Sequence, residues 1–316
     1  MATLPHHPFR FGVLGYKFPS VTTLADCARR HEDLGYSTFL LGDHLFNLAP
    51  FTGIVAAALA TSRLRVGTQV LANDFWHPAL LAREALAIDL VSNGRLELGI
   101  GSGWYSGDYT HTGIPMDSPG VRISRLEESV PILKGLLSGE TVTFQGDYYH
   151  VDQLKVGPQS VQQPHPPLMI GGGGRRILSL AARQADIVGF NMRATPQGWI
   201  DPTAVTLQAT QEKVEWVRQA AGERLPDLEF SILVSAAIIT SDREGTAQEI
   251  VKDWTSSGVE YTVADVLESP HFIVGEVEQI VERLYQNRER FGLSYIVIFE
   301  DAMERFAPVV QRLAGK

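Results

Sequence analysis

Apolar and polar positions follow two alternating periods along the chain. The β-branched run at residues 65–71 predicts a buried strand, and the alanine- and leucine-rich stretch at 79–91 has its apolar positions at helical spacing. Asn93 and Gly94 end that helix, and a second short apolar run follows at 95–100. A strand, a helix and a strand in this order favour parallel pairing with a right-handed crossover.

The same alternation continues over the whole chain. Predicted strands cover residues 9–15, 37–41, 65–71, 95–100, 168–170, 185–190, 228–239 and 294–299, and predicted helices cover 20–34, 51–60, 79–91, 122–137, 177–184, 202–221, 241–257, 277–291 and 302–313. A hairpin at 141–151 and a proline-rich loop at 157–167 are inserted, and residues 109–119 are predicted to be irregular. Eight strand–helix units predict an α/β fold, a (β/α)8 TIM barrel with inserted loops and a short hairpin, as one domain over residues 1–316. A doubly wound open sheet, the alternative, does not require eight regular units.

The composition gives information about which partners the protein can bind rather than about its fold. The chain has 316 residues, 44% of them hydrophobic and 20% charged, with a formal net charge of −9. That charge argues against nucleic acid and anionic membranes as partners, and no apolar run approaches the length of a membrane span. Cys27 is the single cysteine, so no disulfide can form within the chain and a reducing, cytoplasmic compartment is expected. Exposed faces after Tyr109 and in the hairpin would serve a homodimer.

Polar residues at the predicted strand ends supply the candidate chemistry, because a barrel places its site at the C-terminal ends of its strands. His44 follows the second strand, and an imidazole can act as a general acid or base near neutral pH. A hydrogen-bonded structural histidine is the alternative. Asp43 would accept a hydrogen bond from a ligand or cap the next turn. The full set selected by this rule is Asp43, His44, residues 69–74, 102–104 and 171–176, Asn191 and Arg193.

Two glycine-rich segments predict anion sites. Residues 171–176 contain four glycines and two arginines where a helix begins, so backbone donors, helix dipole and guanidinium groups would converge there. Gly99, Gly101 and Gly103 follow the fourth strand, and so bare a loop lets N–H groups approach an anion. A solvated arginine pair and a tight turn are the ligand-free interpretations. The nine histidines are scattered and show no zinc spacing, so no metal site is expected.

Short motifs that are characteristic in combination are spread over the chain. They are Gly42-Asp43-His44, residues 66–71, Pro78, residues 89–95 and 98–104, Asp108, and residues 144–149, 167–174 and 307–310. Together they resemble the bacterial luciferase-like oxidoreductases, and more narrowly the branch that uses the deazaflavin coenzyme F420. The pair Asp43-His44 is what favours the deazaflavin over flavin mononucleotide (FMN).

The resemblance implies a cofactor site in the mouth of the barrel. The tricyclic ring would lie against the bulge after the third strand, where Gln69-Val70 matches a position that often has a non-proline cis peptide. Asp43 and His44 match residues near the ring, and His44 is the expected catalytic proton carrier. The residues expected to bind the cofactor, with its phosphate at the two glycine loops, are Asp43, Gln69, Val70, Ala72, Ser102, Gly103, Gly172, Gly173, Gly174 and Arg175.

The activity implied by the resemblance is that of an F420-dependent oxidoreductase, which transfers a hydride between the coenzyme and a small organic substrate. An FMN-dependent monooxygenase of the same fold and a non-catalytic cofactor-binding protein are the alternatives. Sugar-phosphate dehydrogenases of the family have an acidic residue just after the glycine loop, where this chain has Trp104 and Tyr105. This pair disfavours glucose-6-phosphate and suits an apolar or planar substrate, unless Trp104 only packs on the rim. Composition also suggests a mobile lid at residues 191–201.

Overall fold

Strands and helices alternate along the chain much as the sequence predicts. A computed structural model describes residues 3–16, 18–195, 201–255 and 260–316, and the lid expected at 191–201 falls partly on residues 196–200, outside these ranges. The strands are β1 Arg10–Gly15, β2 Thr38–Leu41, β3 Arg65–Thr68, β4 Leu71–Ala72, β5 Leu96–Gly101, β6 Val142–Gln145, β7 His150–Leu154, β8 Leu168–Gly172, β9 Ile187–Phe190, β10 Glu229–Leu233, β11 Ala236–Ile239, β12 Phe272–Gly275 and β13 Leu293–Phe299. The α-helices are α1 Val21–Leu34, α2 Pro50–Ala60, α3 Pro78–Val91, α4 Ser106–Thr112, α5 Pro119–Leu137, α6 Arg175–Gln184, α7 Leu207–Ala221, α8 Arg243–Thr255, α9 Val263–Glu268, α10 Val277–Phe291 and α11 Met303–Leu313.

Eight parallel strands close into a barrel. Neighbouring strands follow the order β3, β2, β1, β13, β10, β9, β8 and β5, and β5 pairs again with β3. The two-residue β4 continues β3 along β5, with Leu71 opposite Ile100 and Ala72 opposite Gly101. The (β/α)8 TIM barrel is therefore confirmed, and the inserted hairpin is the antiparallel pair β6 and β7. None of the described residues forms a helix long and apolar enough to cross a membrane.

Local sequence signals set the ends of the helices. The Ser20 side chain accepts a hydrogen bond from the backbone N–H of Thr23 and caps α1, which ends at Gly35 in the left-handed region with φ 89°. Gly292 ends α10 in the same way, with φ 74°. Each cap turns the chain directly into the next barrel strand, β2 or β13.

Three of the predicted elements that differ from the observed ones have a physical reason. The apolar stretch at 228–239 is not one strand, because β10 stays in the barrel while β11 leaves it and pairs in parallel with β12, which the prediction missed. Both halves of the stretch are apolar, so hydrophobic periodicity does not reveal the break. The segment predicted to be irregular from 109 overlaps α4, whose Gly, Ser and Thr residues are weak helix formers. The third strand stops at Thr68 and resumes only at Leu71.

Side chains of the barrel strands alternate between two cores. Val13 and Phe39 point outward into the large core under the helices, whereas Leu14 and Leu40 point into a smaller cluster inside the barrel. Val70 packs against this inner cluster although it lies beyond the end of β3. The inner cluster therefore fills the barrel from its middle upward to Val70.

A buried ionic network fills the N-terminal end of the barrel. Oε1 of Glu97 accepts hydrogen bonds from Arg10 Nη1 and Arg65 Nε, each at 2.5 Å, and Arg10 Nε donates to Glu229 at 2.6 Å. Burial by itself would raise the pKa of Glu97, but the charges of Arg10 and Arg65 outweigh it and hold that pKa below its usual value. The network closes this end, so the opposite end is left for a functional site.

Candidate active site at the barrel mouth

The inner layer of the barrel at its C-terminal end is built of glycine. A Cβ at Gly101 would come within 2.8 Å of Val70 Cγ2, and one at Gly171 within 3.0 Å of Val70 Cγ1. Gly99 lies below them, with the Val70 side chain 3.3 Å from the place of its Cβ. Val70 follows a cis peptide bond with Gln69 and lies across these glycines. Its side chain therefore forms the floor of the mouth, where larger residues on β5 and β8 would not fit.

His44 is held at this mouth by a carboxylate that follows a different strand. Its Nδ1 lies 2.7 Å from Oδ2 of Asp108 on α4, and the second oxygen of Asp108 accepts the backbone N–H of Leu45 at 3.2 Å. The side chain of Asp108 is 6% exposed, whereas that of His44 is 25% exposed. With Asp108 ionised, Nδ1 of His44 carries its hydrogen, so Nε2 is the nitrogen that can exchange a proton with a ligand.

Asp43 joins the end of β2 to the segment that follows β3. Its Oδ2 accepts hydrogen bonds from the backbone N–H of Ala72 at 3.1 Å and from Trp76 Nε1 at 2.7 Å. Burial raises the pKa of Asp43, and these two hydrogen bonds act in the opposite direction. The N–H of Ala72 is thus already used within the protein, so Asp43 and Ala72 shape the mouth beside His44.

Three aromatic rings surround the imidazole of His44. Phe46 stacks on it with centroids 5.1 Å apart and an interplanar angle of 6°. Trp104 and Tyr105 meet it edge-on, with centroids at 5.5 and 5.6 Å. We call Phe46, Trp104 and Tyr105 the aromatic wall. Trp104 therefore packs against the candidate catalytic residue rather than on a remote part of the rim.

The first glycine loop, at Ser102 and Gly103, is braced by α5. Arg122 donates from Nε to the carbonyl of Ser102 at 3.2 Å and from Nη2 to that of Gly103 at 3.4 Å. Gly103 has a φ of 75°, and a Cβ there would lie 2.0 Å from the hydroxyl of Tyr109. Only glycine fits at this point, which keeps the loop bare and its backbone approachable.

The second glycine loop leads into α6. Gly174 is the N-cap residue of α6, with nothing within 4 Å of the place of its Cβ, and Arg175 is the first, exposed residue of the helix. Gly173 packs tightly, since its Cβ would lie 2.4 Å from the backbone N of Arg193. Because β5 and β8 are neighbours, this loop and the first one lie side by side. The two loops predicted to bind an anion are thus brought together.

Arg176, the second arginine of the predicted anion site, points elsewhere. It donates to the carbonyl of Gly120 at 2.9 Å and forms an ion pair with Glu127 on α5. Arg175 lines a surface groove beside Gln211, Glu212 and Glu215 of α7, so the two arginines of the predicted pair face different helices.

Three amide side chains after strand ends contain polar atoms that lack a hydrogen-bond partner among the described residues. These atoms are Nε2 and Oε1 of Gln69, whose residue is 6% exposed, Oδ1 of Asn73 and Oδ1 of Asn191. A buried polar group left unpaired costs about 1–3 kcal/mol, so such atoms mark places where a ligand or water is expected. Together with the glycine-lined floor, they fit a flat group with its own hydrogen-bonding edge, as a flavin or deazaflavin has.

Sequence reasoning missed the roles of three residues at this mouth. Asp108 belonged to a recognised motif but had no assigned role, and neither Phe46 nor Trp76 was singled out. All three lie beyond the residues that directly follow a strand, in turns or on α4. The only available signal was their short distance along the chain from His44, Asp74 or the glycine loop.

The sequence matches a described protein family over most of its length. The profile of the luciferase-like monooxygenase family matches residues 5–294. The chain belongs to this family.

Relatives of this luciferase-like chain include two kinds of enzyme. An F420-dependent glucose-6-phosphate dehydrogenase from Nakamurella multipartita is 30% identical over 257 residues, which are 77% of this chain and 71% of that protein. An FMNH2-dependent dimethylsulfone monooxygenase from Pseudomonas putida is 27% identical over 198 residues, which are 63% of this chain and 50% of that protein. The chain thus spans about half the length of some of the curated relatives that it matches. Both F420-dependent and FMN-dependent enzymes therefore occur among its relatives.

A solved structure supports the fold of this luciferase-like chain. The F420-dependent tetrahydromethanopterin reductase from Methanopyrus kandleri superposes with a TM-score of 0.74 at 18% identity, covering 98% of this chain and 99% of that one. The superposition covers nearly the whole length of both chains.

Proposed function

We propose that the chain is an F420-dependent oxidoreductase that transfers a hydride between the deazaflavin and a small organic substrate. The observation that carries this proposal is the pair His44–Asp108, whose Nδ1 and Oδ2 atoms lie 2.7 Å apart. The pair lies at a glycine-lined mouth, and Val70 forms the floor of that mouth. A hydride transfer to or from a carbon–oxygen group also needs a proton to move, and a positioned imidazole supplies or accepts it. The F420-dependent relative from Nakamurella multipartita supports the choice of coenzyme.

The residues of the mouth would hold the coenzyme at its two ends. The ring would lie above Val70 and beside Gln69, next to Asp43 and Ala72. The phosphate would lie at the two glycine loops, on Ser102, Gly103, Gly172, Gly173, Gly174 and Arg175. F420, when bound, supplies the carbon that accepts or gives the hydride. The protein contributes binding, orientation and the exclusion of water.

His44 would move the proton at Nε2. A protonated His44 gives its proton to the oxygen of a carbonyl group that is being reduced, and a neutral His44 takes the proton from a hydroxyl group that is being oxidised. Asp108 keeps the ring in one orientation and stabilises the imidazolium, because it accepts a hydrogen bond from Nδ1. One residue can therefore serve the reaction in both directions.

A second candidate function is an FMN-dependent monooxygenase. The dimethylsulfone monooxygenase of Pseudomonas putida, which is named as FMNH2-dependent, favours it. A flavin and a deazaflavin share a flat fused ring and a phosphate-bearing side chain, so the same floor and glycine loops suit either. The two candidates differ in whether molecular oxygen is consumed. A non-catalytic cofactor-binding protein would bind a coenzyme and show neither reaction.

Anaerobic hydride transfer tests the proposal. Reduced F420 is mixed with a panel of neutral ketones and enones, and oxidised F420 with the matching alcohols, while coenzyme fluorescence is followed. We expect turnover by the wild type, a loss of about 100-fold or more in His44→Asn with unchanged coenzyme affinity, and wild-type behaviour in the control His111→Asn, an exposed residue on α4. Oxygen consumption with reduced FMN, without F420 turnover, would make the monooxygenase the better assignment. Coenzyme binding with neither reaction would favour the non-catalytic protein.

A further inference from the structure

The aromatic wall is unusually exposed to solvent for a set of large apolar side chains. Phe46 is 71% exposed, Leu45 beside it is 53% exposed, and Trp104 is 36% exposed. Scattered apolar residues on a surface need no explanation, but a contiguous aromatic cluster around a candidate catalytic side chain does. The centroids of the three rings lie 5.1 to 5.6 Å from that of the His44 ring, so a ligand bound by this cluster lies close to His44.

The two arginines of α5 near this corner are not available to a negatively charged ligand. Arg125 pairs with Asp74 at 2.6 Å and with Asp117 at 2.5 Å. Arg122 donates to the carbonyl of Asp117 at 2.6 Å and to the backbone of the first glycine loop. Among the residues that the structure describes, the cations of α5 that approach this corner are thus bound by protein acceptors.

Two carboxylates lie beside the wall among the residues that the structure describes. Asp108 is bonded to His44, and Asp43 is bonded to Ala72 and Trp76. Among the described residues, a carboxylate or phosphate on a substrate would therefore meet the carboxylates of Asp43 and Asp108, and the positive charge of a protonated His44 is already paired with Asp108. A neutral molecule meets no charge repulsion there, and burial of its apolar surface against the three rings favours binding.

We propose that the aromatic wall of Phe46, Trp104 and Tyr105 binds the substrate, and that this substrate is an uncharged, largely apolar molecule with a flat group and one oxygen that reaches His44. This inference rests on the proposed function, because it places the substrate beside the proton carrier. It separates this chain from a sugar-phosphate dehydrogenase, whose substrate is strongly anionic. Binding, rather than turnover, is the property that tests it.

Two probes of nearly equal shape test the charge requirement. Acetonaphthone and naphthoate share the same bicyclic ring, and an acetyl group and a carboxylate occupy similar volumes. Each probe is titrated calorimetrically into the protein saturated with whichever oxidised coenzyme, F420 or FMN, the protein binds. We expect acetonaphthone to bind at least about tenfold more tightly than naphthoate, since burying a carboxylate near like charge is unfavourable. Equal or tighter binding of naphthoate would overturn the proposal.

Variants of the wall provide the second arm. Phe46→Ala and Trp104→Ala should each weaken acetonaphthone binding by about tenfold, because each removes an aromatic contact face, while coenzyme affinity stays within about twofold. Leu59→Ala on α2 is the matched control, because Leu59 is also 71% exposed but lies at the end of α2 away from the mouth. Unchanged acetonaphthone affinity in both wall variants would overturn the proposal.

The result can be separated from a failure of the proposed function. The coenzyme titration is done first. If neither F420 nor FMN binds, the proposed function fails, and the binding of acetonaphthone and naphthoate to the aromatic wall is then measured with the coenzyme-free protein. Sedimentation of wild type and variants is measured alongside. A wild-type dimer that dissociates in both Phe46→Ala and Trp104→Ala would show that the wall is an interface between copies of the chain, which overturns its assignment to substrate.

Discussion

The imidazole Nδ1 of His44 and the carboxylate Oδ2 of Asp108 lie 2.7 Å apart, although the two residues come from segments that follow different barrel strands. Asp108 also accepts the backbone N–H of Leu45, so one carboxylate positions both the ring and the chain next to it. Such a pair sets which nitrogen of the histidine carries hydrogen and which one is left for chemistry. Asp108 is therefore a positioning residue that acts through His44.

Asp108→Asn should impair turnover without weakening coenzyme binding. The neutral amide cannot stabilise an imidazolium and can turn its NH2 group towards Nδ1, which favours the wrong tautomer. We expect kcat to fall by roughly 10²–10⁴-fold, KM to change little, and the pH profile of kcat to shift. Steady-state kinetics over a range of pH measure this, with Asp26→Asn on the exposed face of α1 as the control. An unchanged kcat and pH profile would show that the pair is only structural.

Gly171→Ala should weaken coenzyme binding by filling the layer under the floor. The new Cβ would lie 3.0 Å from Val70 Cγ1 and 2.8 Å from Asn191 Nδ2, so Val70 must move towards the space of the ring. We expect about tenfold weaker binding and a decrease of about 1–3 kcal/mol in the free energy of unfolding, from overpacking. Fluorescence titration and urea unfolding measure these. Gly120→Ala is the control, since its Cβ meets only Arg176 at 3.9 Å.

Coenzyme affinity equal to that of the wild type in Gly171→Ala would contradict the placement of the ring above Val70. The loss of stability would then be a packing effect with no bearing on the mouth.

Asp43→Asn should stabilise the protein at neutral pH. Burial raises the pKa of Asp43 in the folded state above the unfolded value of about 3.9, so ionisation of this carboxyl opposes folding above that range. An asparagine oxygen can still accept from Ala72 and Trp76, which keeps the local structure. Urea unfolding at about pH 7 should show a higher stability for the variant.

The stability gain of Asp43→Asn should shrink as the pH falls through the folded pKa, and vanish below about pH 4, where both states are protonated. Asp152→Asn, which changes an exposed carboxylate on β7, should show no such gap at either pH. A variant less stable than the wild type at neutral pH would mean that the ionised carboxylate is needed for its two hydrogen bonds.

Glu97→Gln should destabilise the barrel at the end opposite to the site. The substitution leaves Arg10 and Arg65 without the buried charge between them, and removing one partner of such a group costs about 3–5 kcal/mol. Because the pKa of Glu97 is lowered in the folded state, its contribution is present above about pH 4.3 and is lost as the pH falls further. Chemical unfolding measures both effects.

The matched control for Glu97→Gln is Glu84→Gln on α3, where the side chain is 42% exposed. Folded Glu97→Gln protein should bind coenzyme as the wild type does, because the network is separated from the mouth by the inner cluster. A change in stability below about 0.5 kcal/mol would contradict a structural role for the network.

The barrel was predictable because two sequence signals mark each strand–helix unit, namely a change in hydrophobic period and residues that end the helix. The strand at Arg65–Thr68 and the helix Pro78–Val91 differ in period, and Asn93-Gly94 marks the boundary between units. The error at residues 228–239 has a physical cause. The first half packs in the barrel and the second half packs against β12, and both environments select the same apolar residue types. Only the tertiary pairing distinguishes them.

The candidate site was predictable where it lies directly at a strand end. His44, Gln69 and the two glycine loops follow from that rule alone. Asp108 does not, since it reaches His44 from α4, a helix that weak helix formers conceal. Arg176 was assigned to an anion that it does not face, because sequence spacing cannot show that Glu127 on α5 lies within reach.

Competition between the two coenzymes tests the central claim most directly. The purified protein is incubated with equal, limiting amounts of F420 and FMN, freed of unbound ligand by gel filtration, and the retained coenzyme is identified by its fluorescence. The proposed function predicts that F420 is retained and that FMN passes through. Retention of FMN in its place, or of neither coenzyme, would contradict it.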